Sequence, residues 1–131
     1  MTTIYNPLDI FARKQKVGAD DTRLIAMPAM IHLDAAKRGQ CTASGANFLT
    51  QHLIIASFIA ARTKSKAFHG QVTKAYAALQ KASARPTKLL DLTTGEHKAI
   101  AAAIKTYLCA MPNVEVGVMN DACKVAERAM Q

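Results

Sequence analysis

The sequence predicts an all-α protein, a compact single-domain bundle of four to five helices. Half of its 131 residues are apolar, yet only 5% are aromatic, so small and aliphatic side chains supply most of the apolar content. Alanine and leucine favour helices, and small side chains let helices approach closely. Apolar residues also recur at spacings of three and four, the period of a helix that buries one face. Only six glycines and four prolines occur, which argues against a turn-rich β-sandwich.

The first 18 residues are expected to form an extended N-terminal arm, and residues 19–131 the helical bundle domain. Near the start, Pro7 disfavours helix at Asn6, as in a turn. This end of the chain lacks the apolar region of a signal peptide. The longest strongly apolar run, residues 53–61, is too short to span a bilayer. We therefore expect a cytoplasmic protein that does not enter a membrane.

The first helix is expected over about residues 20–38. Asp20 and Asp21 suit its N-cap and first turn, and Gly39 suits its C-terminal cap. Four residues spaced by three and four are predicted to form one buried stripe: Leu24, Met27, Ile31 and Ala35. Because Pro28 lies inside this pattern and lacks a backbone donor, the helix should be kinked or shortened there.

The second helix should begin with Thr42 or Ser44 as its N-cap. Its segment 48–61 is apolar on nearly all sides, which predicts a central helix packed against several others. The third helix is expected over about residues 66–85 and should stop before Pro86. Its apolar residues gather on one side: Phe68, Val72, Ala75, Tyr76, Leu79 and Ala82.

The last third of the chain predicts one clear helix and one ambiguous segment. The sequence from Thr93 to Glu96 has the form of a capping box, so a fourth helix should follow over about residues 94–110. Residues 114–118 alternate like a strand, but the rest of the C-terminal segment has a helical period. Because a single strand would have nothing to pair with, we predict a fifth helix.

Charge is concentrated in the middle of the chain. Residues 35–90 contain nine basic residues and no acidic one, whereas the two flanking regions are nearly balanced. The formal net charge of +8 therefore comes from this block. In the third helix, Lys74, Lys81 and Arg85 share a stripe about 40° wide, opposite the apolar side.

A basic face of this kind fits a polyanion, because surface lysine and arginine bind phosphates without reading sequence. An acidic protein partner and a simply solvated face remain open alternatives. Three further basic residues lie where the second and third helices meet, and one follows the third helix. The predicted residues for binding nucleic acid or another polyanion are Arg62, Lys64, Lys66, Lys74, Lys81, Arg85 and Lys88.

The sequence contains no catalytic, metal-binding or nucleotide-binding pattern. Cys41, Cys109 and Cys123 are odd in number and widely spaced, which predicts buried free thiols rather than disulfides or zinc ligands. His52 lies in the apolar second helix, where a hydrogen-bonded structural histidine is expected rather than a buried base. We therefore expect a protein that is not an enzyme and that has no catalytic residues, metal or cofactor.

Several short motifs occur together in the first half of the chain. They are the opening YNPL, the L-x-x-x-P of Leu24 to Pro28, Gly39, and Asn47 followed by His52-Leu53-x-x-Ala56. In this order and spacing they resemble a family of short uncharacterised proteins carried by proteobacterial phages, prophages and plasmids. The resemblance covers about residues 4–110. It implies an accessory protein of a mobile genetic element and assigns no functional residues.

We expect a non-enzymatic protein that binds nucleic acid or a nucleoprotein complex through its basic helix face. The alternative is a phage-type inhibitor or adaptor that binds a host protein, for example a defence complex, by protein–protein contacts. Salt distinguishes the two, because phosphate contacts weaken steeply as salt rises and apolar interfaces do not. The sequence leaves the oligomeric state open, a dimer included.

Overall fold

A computed structural model describes residues 12–131 of the protein. This part of the chain is all-α, as predicted, with five long helices, one short 3₁₀ helix and a helical turn at residues 12–14. The elements are α1 (Gly18–Lys37), α2 (Ala43–Thr63), α3 (Lys66–Ser83), α4 (Thr94–Ala110), the 3₁₀ helix (Met111–Asn113) and α5 (Val116–Ala129). Two isolated β-bridges are the only strand-like pairings within residues 12–131.

Helix α2 lies at the centre of the bundle, which confirms the prediction from its apolar sequence. It contacts each of the other four long helices, and its buried side chains point in several directions. Leu49, Leu53, Ile55 and Ile59 are all at most 1% exposed. Helices α1 and α3 both pack on α2 and α4, but within the described chain they do not contact each other. They therefore form separate outer surfaces of the bundle.

Helix α1 begins earlier than predicted and passes through Pro28 without interruption. Of the two predicted alternatives, a kink or a shortening at this proline, the shortening does not occur and the kink stays a prediction. Pro28 cannot donate to the carbonyl of Leu24, the residue four positions earlier. Leu24 is 75% exposed, so the missing hydrogen bond lies toward the solvent side of the helix.

The two ends of α1 confirm one predicted cap and correct the other. Val17 is the N-cap and makes no side-chain capping bond, while Asp20 and Asp21 lie in the first turn. At the other end Gly39 adopts a left-handed φ of 71°. Its N–H donates to the carbonyl of Ala36 at 3.3 Å, and the N–H of the next residue donates to that of Ala35 at 2.8 Å. This pair of bonds is a Schellman motif.

The predicted buried stripe of α1 is wrong, because most of it faces solvent. Leu24 is 75% exposed, Met27 70% and Ile31 60%, and Ala35 is half-buried. The residues that face the core are instead mainly small: Thr22, Ala29, Leu33 and Ala36. These also recur with helical spacing, so α1 has two apolar faces. The alanine-rich face is the one that packs, because small side chains allow close helix contact.

Helix α3 follows α2 after a two-residue turn. Lys64 takes a left-handed conformation with φ of 58°, and Ser65 caps α3 by accepting a hydrogen bond from the N–H of Phe68 at 3.3 Å. The helix ends at Ser83, before Pro86 as predicted. Its predicted apolar side is confirmed: Phe68, Val72, Ala75, Leu79 and Ala82 are buried, and Tyr76 is half-buried.

Helices α4 and α5 confirm the predicted fourth and fifth helices. Both hydrogen bonds of the capping box join Thr93 and Glu96. The C-terminal segment forms a fifth helix rather than a strand. Its start is held by two backbone bonds, from Val17 N–H to the Val114 carbonyl (2.9 Å) and from Val116 N–H to the Gln15 carbonyl (2.7 Å).

The predicted N-terminal arm over residues 1–18 lies mostly outside the described residues. In the described portion, residues 15–17 lie against the start of α5 through the bonds given above, and Gly18 already belongs to α1. The extended arm stays a prediction for residues 1–11.

Candidate nucleic-acid interface

The basic residues of α3 occupy its outer surface. Lys66, Lys74 and Lys81 are exposed and lie on the side opposite the buried apolar residues. At 1.5 Å per residue, the first two are about 12 Å apart along the helix axis and the last two about 10 Å. At 100° per residue all three fall within a sector of about 80°. We call these three lysines the basic ridge.

No acidic side chain within residues 12–131 is paired with a lysine of the basic ridge. The described residues form four salt bridges, and none involves Lys66, Lys74 or Lys81. The lysines repel one another only weakly, because their spacing is close to the Debye length of about 8–10 Å at physiological salt. With respect to the described part of the chain, the ridge therefore presents three unpaired charges on one helix.

Lys64 and Lys88 lie beyond the two ends of the basic ridge. Lys64 occupies the turn before α3 and is exposed. Lys88 is exposed in the connector that follows α3 and lines a groove described below. Both are placed where they could extend the charged surface along the helix direction.

Arg62 lies in the last turn of α2 and not on α3. Its guanidinium carbon is 5.1 Å from the centre of the Phe58 ring, a cation–π arrangement. It also lines a shallow cleft that contains Arg13, Glu115 and Asp121. Arg13 donates to Asp121 at 3.0 Å. Because this cleft contains both signs of charge, it differs from the purely basic surface of α3.

Arg85 is partly exposed, with 34% of its side chain accessible, and its guanidinium binds groups of the connector and of α4. Its Nη1 donates to Glu96 Oε2 at 2.8 Å, and its Nη2 donates to Glu96 Oε1 and to the Asp91 carbonyl, both at 2.6 Å. The bond from Arg85 lowers the pKa of Glu96 to about 2, and the same bond raises the pKa of Arg85. The guanidinium is therefore engaged by protein groups, unlike the lysines of the ridge.

A groove of about 650 Å³ runs beside the C-terminal half of α3. Its walls come from the start of α2, from α3 and from the connector after α3. Its lining is mainly alanine and leucine side chains, interrupted by uncharged polar residues: Thr42, Asn47, Thr50, Gln80, Ser83 and Thr87. Tyr76 and Lys88 also line it. These groups offer hydrogen-bond donors and acceptors, and an aromatic side chain, next to the basic ridge.

His52 is a structural residue of the core, as predicted. It is 9% exposed, and its Nδ1 shares a hydrogen bond of 2.9 Å with the hydroxyl of Tyr107. Burial lowers the pKa of His52 to about 4 and raises the pKa of Tyr107. The imidazole is therefore neutral near pH 7 and joins α2 to α4.

The cysteines fit the prediction of free thiols, but only one of them is buried. Cys41 is buried, Cys123 is half-buried and Cys109 is exposed, so the prediction of burial is wrong for Cys109. Burial raises the pKa of the Cys41 and Cys123 thiols. Across residues 12–131, no three His, Cys, Asp or Glu side chains cluster as metal ligands would.

No helix in the described part of the chain combines the length and the apolar character needed to cross a bilayer.

The sequence pattern identified the lysines of the basic ridge and missed two features around them. The groove brings Asn47 and Gln80 together across two helices, and nothing in their sequence spacing predicts this. The partner of Arg85 is the capping-box residue Glu96. The capping box itself was visible, but its second role depends on how α4 packs against the end of α3.

Comparison with known proteins finds no family model, curated protein or solved structure that matches this chain.

Proposed function

We propose that this protein binds nucleic acid, alone or in a nucleoprotein complex, through the basic ridge of α3, and that it does so without catalysing a reaction. One observation carries the proposal. Lys66, Lys74 and Lys81 lie exposed along one rigid helix with no acidic partner among residues 12–131. Lysine ammonium groups that already have carboxylate partners would gain less from phosphates.

The surface between the lysines suits a phosphate backbone. Gly70 and Ala77 fall on the same side of α3 as the ridge. A Cβ built on Gly70 would meet nothing within 4 Å, so the bundle itself does not require glycine there. The small side chains between the long lysines project little from the helix, so a phosphodiester chain can lie close to the helix backbone. Lys64 and Lys88 would add contacts at either end.

The neighbouring groove favours unpaired bases over a closed duplex. A base that leaves the stack can be held by amide hydrogen bonds and by an aromatic ring. The groove supplies the amides of Asn47 and Gln80 and the ring of Tyr76. Bases paired within a duplex could not enter it. We therefore propose that single-stranded segments bind more tightly than duplexes of the same length.

The experiment compares two triple variants of equal charge. The first replaces the basic ridge by glutamine (Lys66→Gln, Lys74→Gln, Lys81→Gln). The control replaces three exposed lysines of α4 and α5 (Lys98→Gln, Lys105→Gln, Lys124→Gln). Both lower the formal net charge from +8 to +5, and all six side chains are exposed, so each change should alter stability by no more than about 0.5 kcal/mol.

Fluorescence anisotropy with single-stranded and duplex DNA and RNA measures the effect at low salt. We expect the parent and the control to bind, and the ridge variant to bind at least about tenfold more weakly. No binding by the parent, or equal losses in both variants, would reject the ridge as the interface. In the first case, the host-protein inhibitor or adaptor becomes the leading function.

A further inference from the structure

The outer face of α1 combines exposed apolar residues with a regular spacing. Leu24, Met27, Met30 and Ile31 are each 58–75% exposed, and we call these four the α1 stripe. They account for more than half of the large apolar residues exposed in the described chain. Among residues 12–131 this apolar face has no partner, and an exposed apolar face of this kind is typical of an interaction surface.

The spacing on this face is that of a coiled coil. Six positions follow one another at steps of four, three, four, three and four residues, the heptad pattern of a helix that packs along its length against another helix. They are Asp20, Leu24, Met27, Ile31, Asp34 and Arg38. The row spans about 27 Å along the axis, with apolar residues at its centre and charged residues at its ends.

We propose that the α1 stripe is the contact surface of a homodimer, in which α1 packs antiparallel against α1 of a second copy. In antiparallel packing the N-terminal end of the row on one copy lies beside the C-terminal end of the row on the other copy. With the two-fold axis crossing the outer face midway between Met27 and Ile31, Met27 lies beside Ile31 of the second copy, and Asp20 lies beside Arg38 of the second copy. Leu24 then contacts the aliphatic part of Asp34, whose carboxylate is already paired with Arg38 of its own helix.

The charges favour a second copy of this chain as the occupant. Two strongly basic proteins repel each other unless they meet at a neutral surface. Residues 18–38 contain three acidic and three basic residues, so α1 together with its C-cap Arg38 is neutral, although the whole chain carries a formal net charge of +8. Each end of the α1 stripe carries one local ion pair, Asp20 with Arg23 and Asp34 with Arg38. This arrangement is self-complementary, as a two-fold interface requires.

Dimerisation through α1 would leave the basic ridge free. Helices α1 and α3 do not contact each other in the described chain and pack on α2 and α4 from separate places. A dimer would therefore carry two basic ridges. The dimer proposal does not depend on nucleic-acid binding, because it rests on the residues of α1 alone.

Sedimentation of the full chain, from about 1 μM to about 1 mM, tests the proposal. We expect the parent to pass from monomer to dimer over this range. The variant Leu24→Gln/Ile31→Gln should remain a monomer. A control with two similarly apolar exposed residues of the C-terminal region changed, Val125→Gln/Met130→Gln, should dimerise like the parent. A parent that stays monomeric at every concentration, or a stripe variant that dimerises equally well, overturns the proposal.

Charge exchange tests the antiparallel arrangement. Asp20→Arg or Arg38→Asp alone places like charges opposite each other and should weaken dimerisation about tenfold. The double variant Asp20→Arg/Arg38→Asp restores opposite charges across the two-fold axis and should dimerise nearly as well as the parent. Circular dichroism of each variant confirms that the helices are intact. A double variant weaker than either single one contradicts the antiparallel contact.

Discussion

Helices α1 and α3 are both outer helices of the same bundle, yet their solvent faces differ in kind. Each packs on α2 and α4. The outer face of α3 carries the lysines of the basic ridge, whereas that of α1 carries Leu24, Met27, Met30 and Ile31. The comparison shows that helical spacing identifies residues on a common face. When a helix has two apolar faces, helical spacing does not identify which of them is buried.

The largest expected effect separates the two faces of α1 itself. Leu33 is 3% exposed and Leu24 is 75% exposed, although both are leucines of one helix. Leu33→Ala should lower the free energy of unfolding by about 2–5 kcal/mol, because it leaves a cavity. Leu24→Ala should change it by less than about 0.5 kcal/mol. Urea unfolding at low protein concentration measures both; equal losses would place the α1 stripe in the core.

A second comparison separates Arg85 from the basic ridge. Arg85→Gln removes the bidentate bond to Glu96, a side chain that is only 10% exposed, and should lower the free energy of unfolding by more than Lys81→Gln does. Lys81→Gln, a few residues earlier on the exposed side of α3, should leave it nearly unchanged. Thermal and urea unfolding give both values. If Arg85→Gln is as stable as Lys81→Gln, the bond to Glu96 does not hold the connector.

The ion pair between Arg85 and Glu96 should also contribute to the pH dependence of the free energy of unfolding. The pKa of Glu96 is lowered from 4.5 to about 2 in the folded protein, so its contribution is complete above pH 4.5 and is lost as pH falls toward 2. Glu96→Gln should remove this part of the acid dependence, whereas Glu127→Gln on the exposed side of α5 should keep it. Urea unfolding between pH 5 and pH 2 compares the two, and identical profiles would contradict the assignment.

His52 adds a separate loss of stability on acidification, at pH values above those at which Glu96 titrates. Its pKa is lowered from 6.5 to about 4 on folding. The folded protein therefore holds fewer protons than the unfolded chain between these values, and stability should decrease as pH falls from 6.5 toward 4. The same urea series extended to pH 8 measures this loss, and its absence would show that His52 is not buried.

The smallest expected effect is a gain in stability on the ridge side of α3. Gly70→Ala places a methyl group where nothing lies within 4 Å, in the interior of α3. It should raise the free energy of unfolding by up to about 1 kcal/mol, since alanine is the better helix former. If the nucleic-acid backbone approaches α3 here, the same variant should also bind more weakly. A variant that is less stable than the parent would show that glycine is needed by the bundle.

Much of the fold could be predicted because local signals and apolar patterns agreed. The capping box at Thr93, the stop before Pro86 and the apolar sides of α2 and α3 each act within a few residues or one helix. The orientation of α1 could not be predicted, since Leu24 and Leu33 belong to two competing apolar faces. It depends on the alanine-rich face that fits against α2 and α4.

The candidate site could be predicted only in part for the same reason. The lysines of the basic ridge share a face within one helix, so helical spacing was sufficient to group them. Arg85 falls on the same stripe, but its guanidinium turns to Glu96 at the start of the next helix. The groove likewise needs α2, α3 and the connector together. The orientation of Arg85 and the groove both depend on contacts between elements, and a single sequence does not reveal those contacts.

The salt dependence of nucleic-acid affinity tests the central claim most directly. Log affinity is measured against log salt concentration for the parent, the triple variant of the basic ridge and the triple variant of α4 and α5. Each phosphate contact contributes about 0.7–0.9 to the slope. The ridge variant should therefore have a slope smaller than that of the parent by about two to three, and the control should differ by less than about one. Equal slopes for the two variants would show that net charge, and not the surface of α3, governs binding.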